Sequence, residues 1–215
     1  MSLRQTYRLW APMYDVFLKP ATRSARAKNL AQLGRLDGLN LAVIGIGSGL
    51  DLEWLRLHAR PAQCIGLDIT RAMLNKAQIR RRDCPFPLHL IEGDAMQTPL
   101  ASGQFDYVVL HLILAVVPNP AAVLAEASRL LKPGGQILIF DKFLHPQQKA
   151  PLRRLISPLL GLLATRTDVE FEPLLAAHSE LTCVRDEPLL ARGWFRGITL
   201  QKHPINQHPI NHHKD

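Results

Sequence analysis

Residues 41–58 read LAVIGIGSGLDLEWLRLH and carry the clearest indication of the fold. This stretch opens with a short apolar run that is typical of a buried strand and continues with the spacing of an amphipathic helix. Gly45, Gly47 and Gly49 fill the turn between the two. A glycine-rich turn of this kind lets a ligand approach backbone amides at the carboxyl edge of a parallel sheet. The stretch therefore predicts a strand, a ligand-binding turn and a helix.

The same alternation continues along the chain. Short apolar runs and helical patterns follow one another in the order LAVIG, GLDLEWLRLH, CIGLD, TRAMLNKAQIRRR, LHLIEGD, QFDYVVLH, PAAVLAEASRLL and GQILIFD. Two more strands are expected around LTCVRDEP and GWFRGITLQK. Strands that alternate with helices predict a parallel sheet with crossover helices on both faces. We therefore expect an α/β fold with a Rossmann-like, seven-stranded, mostly parallel sheet.

Composition places the chain among ordinary globular proteins. Hydrophobic residues make up 47% and charged residues 20% of the 215 positions. The longest apolar stretches are far shorter than the roughly 20 residues that a membrane span needs, and MSLRQTYRLW lacks the apolar core of a signal peptide. The three cysteines show no CxxC or Cys/His ligand spacing, which predicts neither a disulfide framework nor a zinc site. We expect a cytoplasmic protein without a metal.

Positive charge is concentrated at the N-terminus. The net charge is +8, and residues 1–35 carry seven Lys and Arg against Asp15 alone. Breaks at Pro12 and Pro20 predict three short helices here. A basic, amphipathic leader suits an anionic membrane surface, whereas a solvated helix face is the plainer alternative. No nucleic-acid-binding motif is present, so a nucleic-acid partner is not expected.

The ligand predicted by the glycine turn is a nucleoside. The spacing is G-x-G-x-G, with Leu50 where the dinucleotide pattern has its third glycine, which disfavours a nicotinamide cofactor. Asp68 ends the next strand, where its carboxylate can accept hydrogen bonds from ribose hydroxyls. A short-chain reductase would need a Tyr-x-x-x-Lys pair, and none of the three tyrosines has a lysine at that spacing.

Further motifs carry a family resemblance. EGDA follows the third strand, FDYVV enters the fourth and LLKPGG precedes the fifth. With the glycine turn, these motifs over residues 36–142 resemble the class I S-adenosylmethionine-dependent methyltransferases. The resemblance implies a cofactor site in which the glycines pass the methionine part, Asp68 holds the ribose, and the adenine and sulfonium lie beside the remaining residues: Asp94, Ala95, Ile69, Met73, His111 and Leu112.

A finer resemblance concerns the methyl acceptor. YRLWAPMYD at 7–15, HLILAVVPNP and FDKF are similar to segments of the soluble bacterial phosphatidylethanolamine N-methyltransferases, and ubiquinone-type methyltransferases share the broader motifs. The resemblance implies N-terminal lid helices that cover the cofactor and contact membrane, with Tyr14 lining the cofactor. The sequence Asp-Lys-Phe stands where that family tends to carry Asn-His-Phe.

Two residues are candidates for a catalytic base, because an ammonium acceptor must lose a proton before it attacks. His111 ends strand four and Asp141 ends strand five. The alternatives are a histidine that packs on the cofactor and an aspartate that caps the following segment.

These observations predict one methyltransferase domain over residues 1–203. It comprises basic N-terminal helices (1–35), a cofactor-binding core (36–142) and an acceptor-side helix with closing strands (143–203); residues 204–215 are expected to be a disordered tail. The expected function is phosphatidylethanolamine N-methylation. A quinone-like or other small acceptor is the first alternative, and a non-catalytic membrane- or partner-binding module is the second. The oligomeric state stays open.

Overall fold

A computed structural model describes residue 20, residues 22–143 and residues 169–204. Within these ranges the chain forms seven strands: β1 (Asn40–Ile44), β2 (Gln63–Asp68), β3 (Leu88–Glu92), β4 (Phe105–His111), β5 (Leu131–Lys142), β6 (Leu181–Leu190) and β7 (Phe195–Lys202). The same ranges contain the helices α1 (22–30), α2 (Leu52–His58), α3 (Arg71–Arg81), α4 (Pro120–Leu130) and α5 (Phe171–Ala176). Short 3-10 turns occupy Ala31–Leu33 and Ala191–Gly193.

The strands form one sheet in the order β3-β2-β1-β4-β5-β7-β6. Strands β1 to β5 pair in parallel, and β7 runs antiparallel to both β5 and β6. The predicted seven-stranded, mostly parallel sheet is therefore confirmed. Strand order reverses at β1, which lies between β2 and β4, and ligands of open α/β sheets bind at such a switch point.

Helices cover both faces of the sheet, as predicted. On one face α1, α2 and α3 bury Leu30, Leu55 and Leu74 in an apolar cluster with β1. On the other face α4 and α5 bury Leu124 and Phe171 against the central strands. The central strands are thus buried between two helical layers, which leaves their ends accessible to a ligand.

Two local predictions need correction. The segment LKPGG was expected to precede strand five, but β5 begins at Leu131 and includes it. A register shift between Phe105 and Tyr107 accommodates the extra length, because Leu131 pairs with Phe105 and Gln136 pairs with Tyr107. Helix α5 lies in a stretch that gave no helical prediction; its Pro173 falls in the first turn, where the missing amide costs little.

Several expectations lie outside the described residues. They are the helices before α1 with their role as a lid, Tyr14, the helical stretch within 144–168 and most of the tail. The domain limits also stay a prediction. None of the described helices is long and apolar enough to cross a membrane. No group of three or more His, Cys, Asp or Glu in the described ranges is arranged to hold a metal ion.

Candidate active site

A cavity of about 150 Å³ opens at the carboxyl ends of β1, β2 and β4, at the switch point of the sheet. Nine of the predicted site residues line it: Gly45, Gly47, Asp68, Ile69, Met73, Asp94, Ala95, His111 and Leu112. Apolar side chains also line the cavity, among them Ile46, Ile113, Val116 and Val117. Gly49 and Asp141 are not part of the lining.

The glycine turn is shaped by two close approaches. Gly45 has φ +76°, and a Cβ there would lie 2.5 Å from Cδ1 of Ile113. Gly49 has φ +85°, and its Cβ would lie 3.2 Å from Cα of Ala77 in α3. A side chain at either position would therefore meet both backbone strain and steric overlap. Gly45 shapes the cavity, whereas Gly49 allows the turn to pack against α3.

Asp68 ties the glycine turn to the start of α3. Its Oδ2 accepts a hydrogen bond from the Gly47 amide at 2.9 Å, and its Oδ1 accepts from the amide and the hydroxyl of Thr70, both at 2.9 Å. Burial raises the pKa of Asp68, although the hydrogen bonds from Thr70 and Gly47 oppose that rise. Each carboxylate oxygen has two lone pairs, so Asp68 retains acceptor capacity for a ribose hydroxyl.

The loop after β3 supplies Asp94 and Ala95. Asp94 Oδ1 accepts a hydrogen bond from the Met96 amide at 2.8 Å. Further along the loop, Glu126 Oε1 of α4 accepts hydrogen bonds from the amide and the hydroxyl of Thr98, at 2.8 and 2.6 Å. The Arg129 guanidinium and these hydrogen bonds hold the pKa of Glu126 down at about 2, against the effect of burial. An ionised carboxylate therefore anchors the loop to α4.

His111 and Leu112 form the wall at the end of β4. His111 is buried, with Nδ1 at 2.9 Å from Asp51 Oδ1 and Nε2 at 3.1 Å from Asn29 Nδ2. Leu112 has φ +56°, a conformation that non-glycine residues adopt rarely and that often marks a functional site. Its amide donates to Phe140 O at 2.7 Å, which fixes this turn to β5.

Sequence reasoning missed three polar residues of this wall: Arg26, Asn29 and Asp51. Arg26 lines the cavity, and its Nη1 lies 2.8 Å from Asp51 Oδ1. Burial raises the pKa of Asp51, but Arg26 and His111 outweigh that effect and hold it well below its usual range. Arg26 and Asn29 both lie on α1, and Asp51 directly precedes α2, so helix packing brings them together and only the acid directly after the glycine turn offered a local signal.

Asp141 lies behind the cavity wall. It is buried, its Oδ2 accepts from the Ala115 amide at 3.2 Å, and its Oδ1 accepts from the Lys142 amide at 2.8 Å. Burial raises its pKa to about 6, although these amides oppose the rise. This geometry favours a structural role, but a different one from capping the following segment: Asp141 holds the loop after β4 through the Ala115 amide. The catalytic role stays a prediction.

The donor set fits an adenosyl cofactor with an amino-acid tail. Asp68 ends β2, and at Gly47 no side chain covers the backbone. The apolar side chains of Ile69 and Met73 can flank an adenine base, and the guanidinium of Arg26 can bind a carboxylate. A family model described as a methyltransferase domain matches residues 42–139, from β1 to β5. The chain carries the domain of a class I S-adenosylmethionine-dependent methyltransferase. Its cofactor is S-adenosylmethionine.

Curated relatives of this methyltransferase include two named enzymes. Phosphatidylethanolamine N-methyltransferase of Cereibacter sphaeroides is 26% identical over 206 residues, which cover 94% of this chain and 98% of the relative. Demethylmenaquinone methyltransferase of Lactococcus lactis is 28% identical over 190 residues, which cover 83% of this chain and 74% of the relative. These matches support an enzyme over the non-catalytic module.

Solved methyltransferases share the fold at low sequence identity. One, in complex with the Haloferax volcanii Trm112 methyltransferase activator, is 18% identical and superposes with a TM-score of 0.74 over 96% of this chain and all of its own. A SAM-dependent methyltransferase of Thermotoga maritima is 18% identical, with a TM-score of 0.67 over 94% of this chain.

A second cavity of about 170 Å³ lies between α1 and α2. Its polar lining comes from Arg23, Arg26, Glu53 and His58, and Trp54 and Leu57 add apolar surface. The rings of Trp54 and His58 stack with their centroids 4.5 Å apart. Arg26 lines both cavities, so this groove adjoins the cofactor site.

Proposed function

We propose that this methyltransferase transfers methyl groups to the amino nitrogen of phosphatidylethanolamine at a membrane surface. The observation that carries the proposal is the extent of the similarity to the Cereibacter sphaeroides enzyme, which covers 94% of this chain and 98% of that protein. The family model ends at residue 139. The longer match therefore includes segments outside the cofactor core.

The chemistry requires positioning more than side-chain catalysis. When bound, S-adenosylmethionine supplies an electrophilic methyl group on a sulfonium. The acceptor nitrogen must first lose its proton, and its lone pair then displaces the sulfide in line. Ile113, Val116 and Val117 give one edge of the cavity an apolar lining, which disfavours water there. Both nitrogens of His111 are already hydrogen-bonded, which favours its role as a wall residue over that of a base.

Surface charge supports docking on an anionic membrane. Residues 52–82 contain seven Lys and Arg against Glu53 and Asp68, a net charge of +5. Leu57 and Ile79 are 61% and 64% exposed, and their helices bury their opposite sides in the same core cluster. Apolar side chains framed by basic ones suit the interface of an anionic bilayer, where each cation gains about 1 kcal/mol. We propose a peripheral membrane protein that uses this face, together with the basic N-terminus.

A quinone precursor is the second candidate acceptor. The match to the Lactococcus lactis demethylmenaquinone methyltransferase covers 83% of this chain, and such an acceptor is also apolar and membrane-bound. Membrane binding alone therefore does not distinguish the two candidates. The identity of the methylated product does.

The test is methyl transfer to defined lipids. Purified protein is incubated with methyl-labelled S-adenosylmethionine and either phosphatidylethanolamine vesicles that contain phosphatidylglycerol, or phosphatidylglycerol vesicles that contain demethylmenaquinone. The proposal expects label in mono- or dimethylated phosphatidylethanolamine. Label only in the quinone would overturn it in favour of the second candidate, and label in neither, from protein that binds the cofactor, would overturn both. An Asp68→Asn variant serves as the control for cofactor-dependent labelling.

A further inference from the structure

A continuous line of hydrogen bonds, three of them buried, lies behind one wall of the cofactor cavity. Asn29 Nδ2 lies 2.8 Å from Ile139 O and 3.1 Å from His111 Nε2. His111 Nδ1 lies 2.9 Å from Asp51 Oδ1, and the same oxygen lies 2.8 Å from Arg26 Nη1. We call Asn29, His111, Asp51 and Arg26 the Asp51 relay. It joins α1, the end of β4 and the residue before α2, and it ends at the cavity in Arg26.

The hydrogen-bond chemistry fixes the direction of the relay. The Asn29 amide nitrogen can only donate, and it donates to the carbonyl of Ile139. Its second hydrogen then points to His111 Nε2, which must accept. The remaining imidazole nitrogen, Nδ1, carries the hydrogen and donates a hydrogen bond to Asp51 Oδ1. His111 thus links Asn29 to Asp51 and orients the Asp51 carboxylate.

Asp51 gives up a local interaction to take part. It directly precedes α2, where an aspartate side chain commonly accepts a hydrogen bond from the first helical amides. Here it makes no such cap, and its Oδ1 instead faces Arg26 and His111 in the protein interior. Burying an ion pair is costly to stability, and so is an unused cap. Because the arrangement is costly, it indicates that holding Arg26 in this position serves a function.

We propose that Asp51 is a positioning residue, which holds Arg26 so that its guanidinium binds the carboxylate of the cofactor's methionine moiety. Arg26 donates a hydrogen bond from Nε to Thr22 Oγ1 at 3.3 Å and another from Nη1 to Asp51 Oδ1. Together they fix the plane of the guanidinium at the cavity wall. A fixed guanidinium matches a carboxylate with paired hydrogen bonds. The proposal rests on the cofactor and not on the identity of the methyl acceptor.

The test compares two ligands by calorimetry. S-adenosylhomocysteine has the amino-acid tail, whereas 5′-methylthioadenosine keeps the nucleoside and lacks the carboxylate. In Asp51→Asn, we expect the Kd of S-adenosylhomocysteine to rise at least about tenfold and that of methylthioadenosine to change less than about twofold. Arg26→Gln should show the same pattern, and the double variant should lose no more than either single variant, because the two residues act as one unit.

The matched control is Asp106→Asn. Asp106 is also a partly buried carboxylate in an ion pair, with Lys132 at 2.7 Å, but it lies at the opposite end of β4 from His111. The Asp106→Asn variant should bind both ligands with affinities within about twofold of those of the wild type. An equal loss for both ligands in Asp51→Asn would overturn the proposal in favour of a structural role, and so would unchanged binding of both. If Asp51→Asn does not fold, Arg26→Gln decides by the same comparison.

Discussion

Asp68 Oδ2 accepts a hydrogen bond from the Gly47 amide at 2.9 Å, which joins the end of β2 to the glycine turn after β1. One carboxylate therefore serves two purposes: it holds the turn in shape and offers remaining lone pairs to the cofactor's ribose. Because Asp68 Oδ1 also accepts from Thr70, the same residue fixes the start of α3. The cofactor site is thus built largely before the cofactor arrives.

Replacing Asp68 by Asn should weaken cofactor binding. An amide has only one acceptor oxygen and turns donor hydrogens toward either Gly47 or Thr70, so the turn and the ribose contact are both disturbed. We expect the Kd of S-adenosylhomocysteine to rise at least about tenfold, as for other hydrogen bonds to charged groups. Calorimetry measures this. Asp106→Asn, far from the cavity, should bind normally, and normal binding by Asp68→Asn would contradict the assignment.

A methyl group at Gly45 should destabilise the protein more than one at Gly38. Both glycines have positive φ, +76° and +79°, but the added Cβ meets Ile113 Cδ1 at 2.5 Å in the first case and nothing within 4 Å in the second. We expect losses in the free energy of unfolding of about 2–4 kcal/mol for Gly45→Ala and about 1 kcal/mol for Gly38→Ala. Denaturant unfolding measures both.

The steric part of the Gly45 effect has its own control. Ile113→Val removes the atom at 2.5 Å, so the double variant Gly45→Ala/Ile113→Val should regain part of the lost stability. If the two substitutions are simply additive, steric overlap with Ile113 is not the cause.

The alternation of short apolar runs and helical patterns was enough to predict the sheet, because local periodicity specifies its strands and the crossover helices between them. Strands β6 and β7 fall where LTCVRDEP and GWFRGITLQK stand. The start of β5 was predicted too late, since Pro133 and two glycines read as a turn although the segment pairs with β4 through a register shift. Tertiary pairing overrode the local signal there.

Some residues of the candidate site could also be predicted from the sequence, and others could not. Residues that follow strands, such as Asp68 and Asp94, could be named because their position in a parallel sheet follows from their place in the sequence. The Asp51 relay could not, because Asn29, Asp51 and His111 lie far apart in sequence. Only the packing of α1 against the sheet brings them together.

The stability of the protein should depend on the charge of Asp141 with a defined sign. Burial raises its pKa from 3.8 to about 6. Between these values the folded protein keeps a proton that the unfolded chain has released, so stability falls as pH rises from about 4 to about 6. The full effect is about 3 kcal/mol.

Asp141→Asn removes this titration. The difference in unfolding free energy between the variant and the wild type should shift in favour of the variant as pH rises from about 4 to about 6, and stay constant above that range. Denaturant unfolding at a series of pH values measures it. A pH-independent difference for Asp141→Asn would mean that the carboxyl titrates normally.

Charge at Leu57 or Ile79 should weaken membrane binding. Both side chains are exposed on the basic outer face of α2 and α3. Leu57→Glu and Ile79→Glu should each reduce cosedimentation with phosphatidylglycerol vesicles at least about fivefold, because an apolar contact is lost and a like charge faces the lipid. The matched control is Val184→Glu, since Val184 is 50% exposed on β6 at the far edge of the sheet. Equal losses in all three variants would contradict docking by this face.

The most direct test of the account is a crystal structure with S-adenosylhomocysteine. We predict that the ligand occupies the cavity at the ends of β1, β2 and β4, with its ribose hydroxyls on Asp68, its adenine between Ile69 and Met73 near Asp94, and its carboxylate on Arg26. Binding elsewhere, or binding in this cavity without a contact from Asp68 to the ribose, would contradict the account.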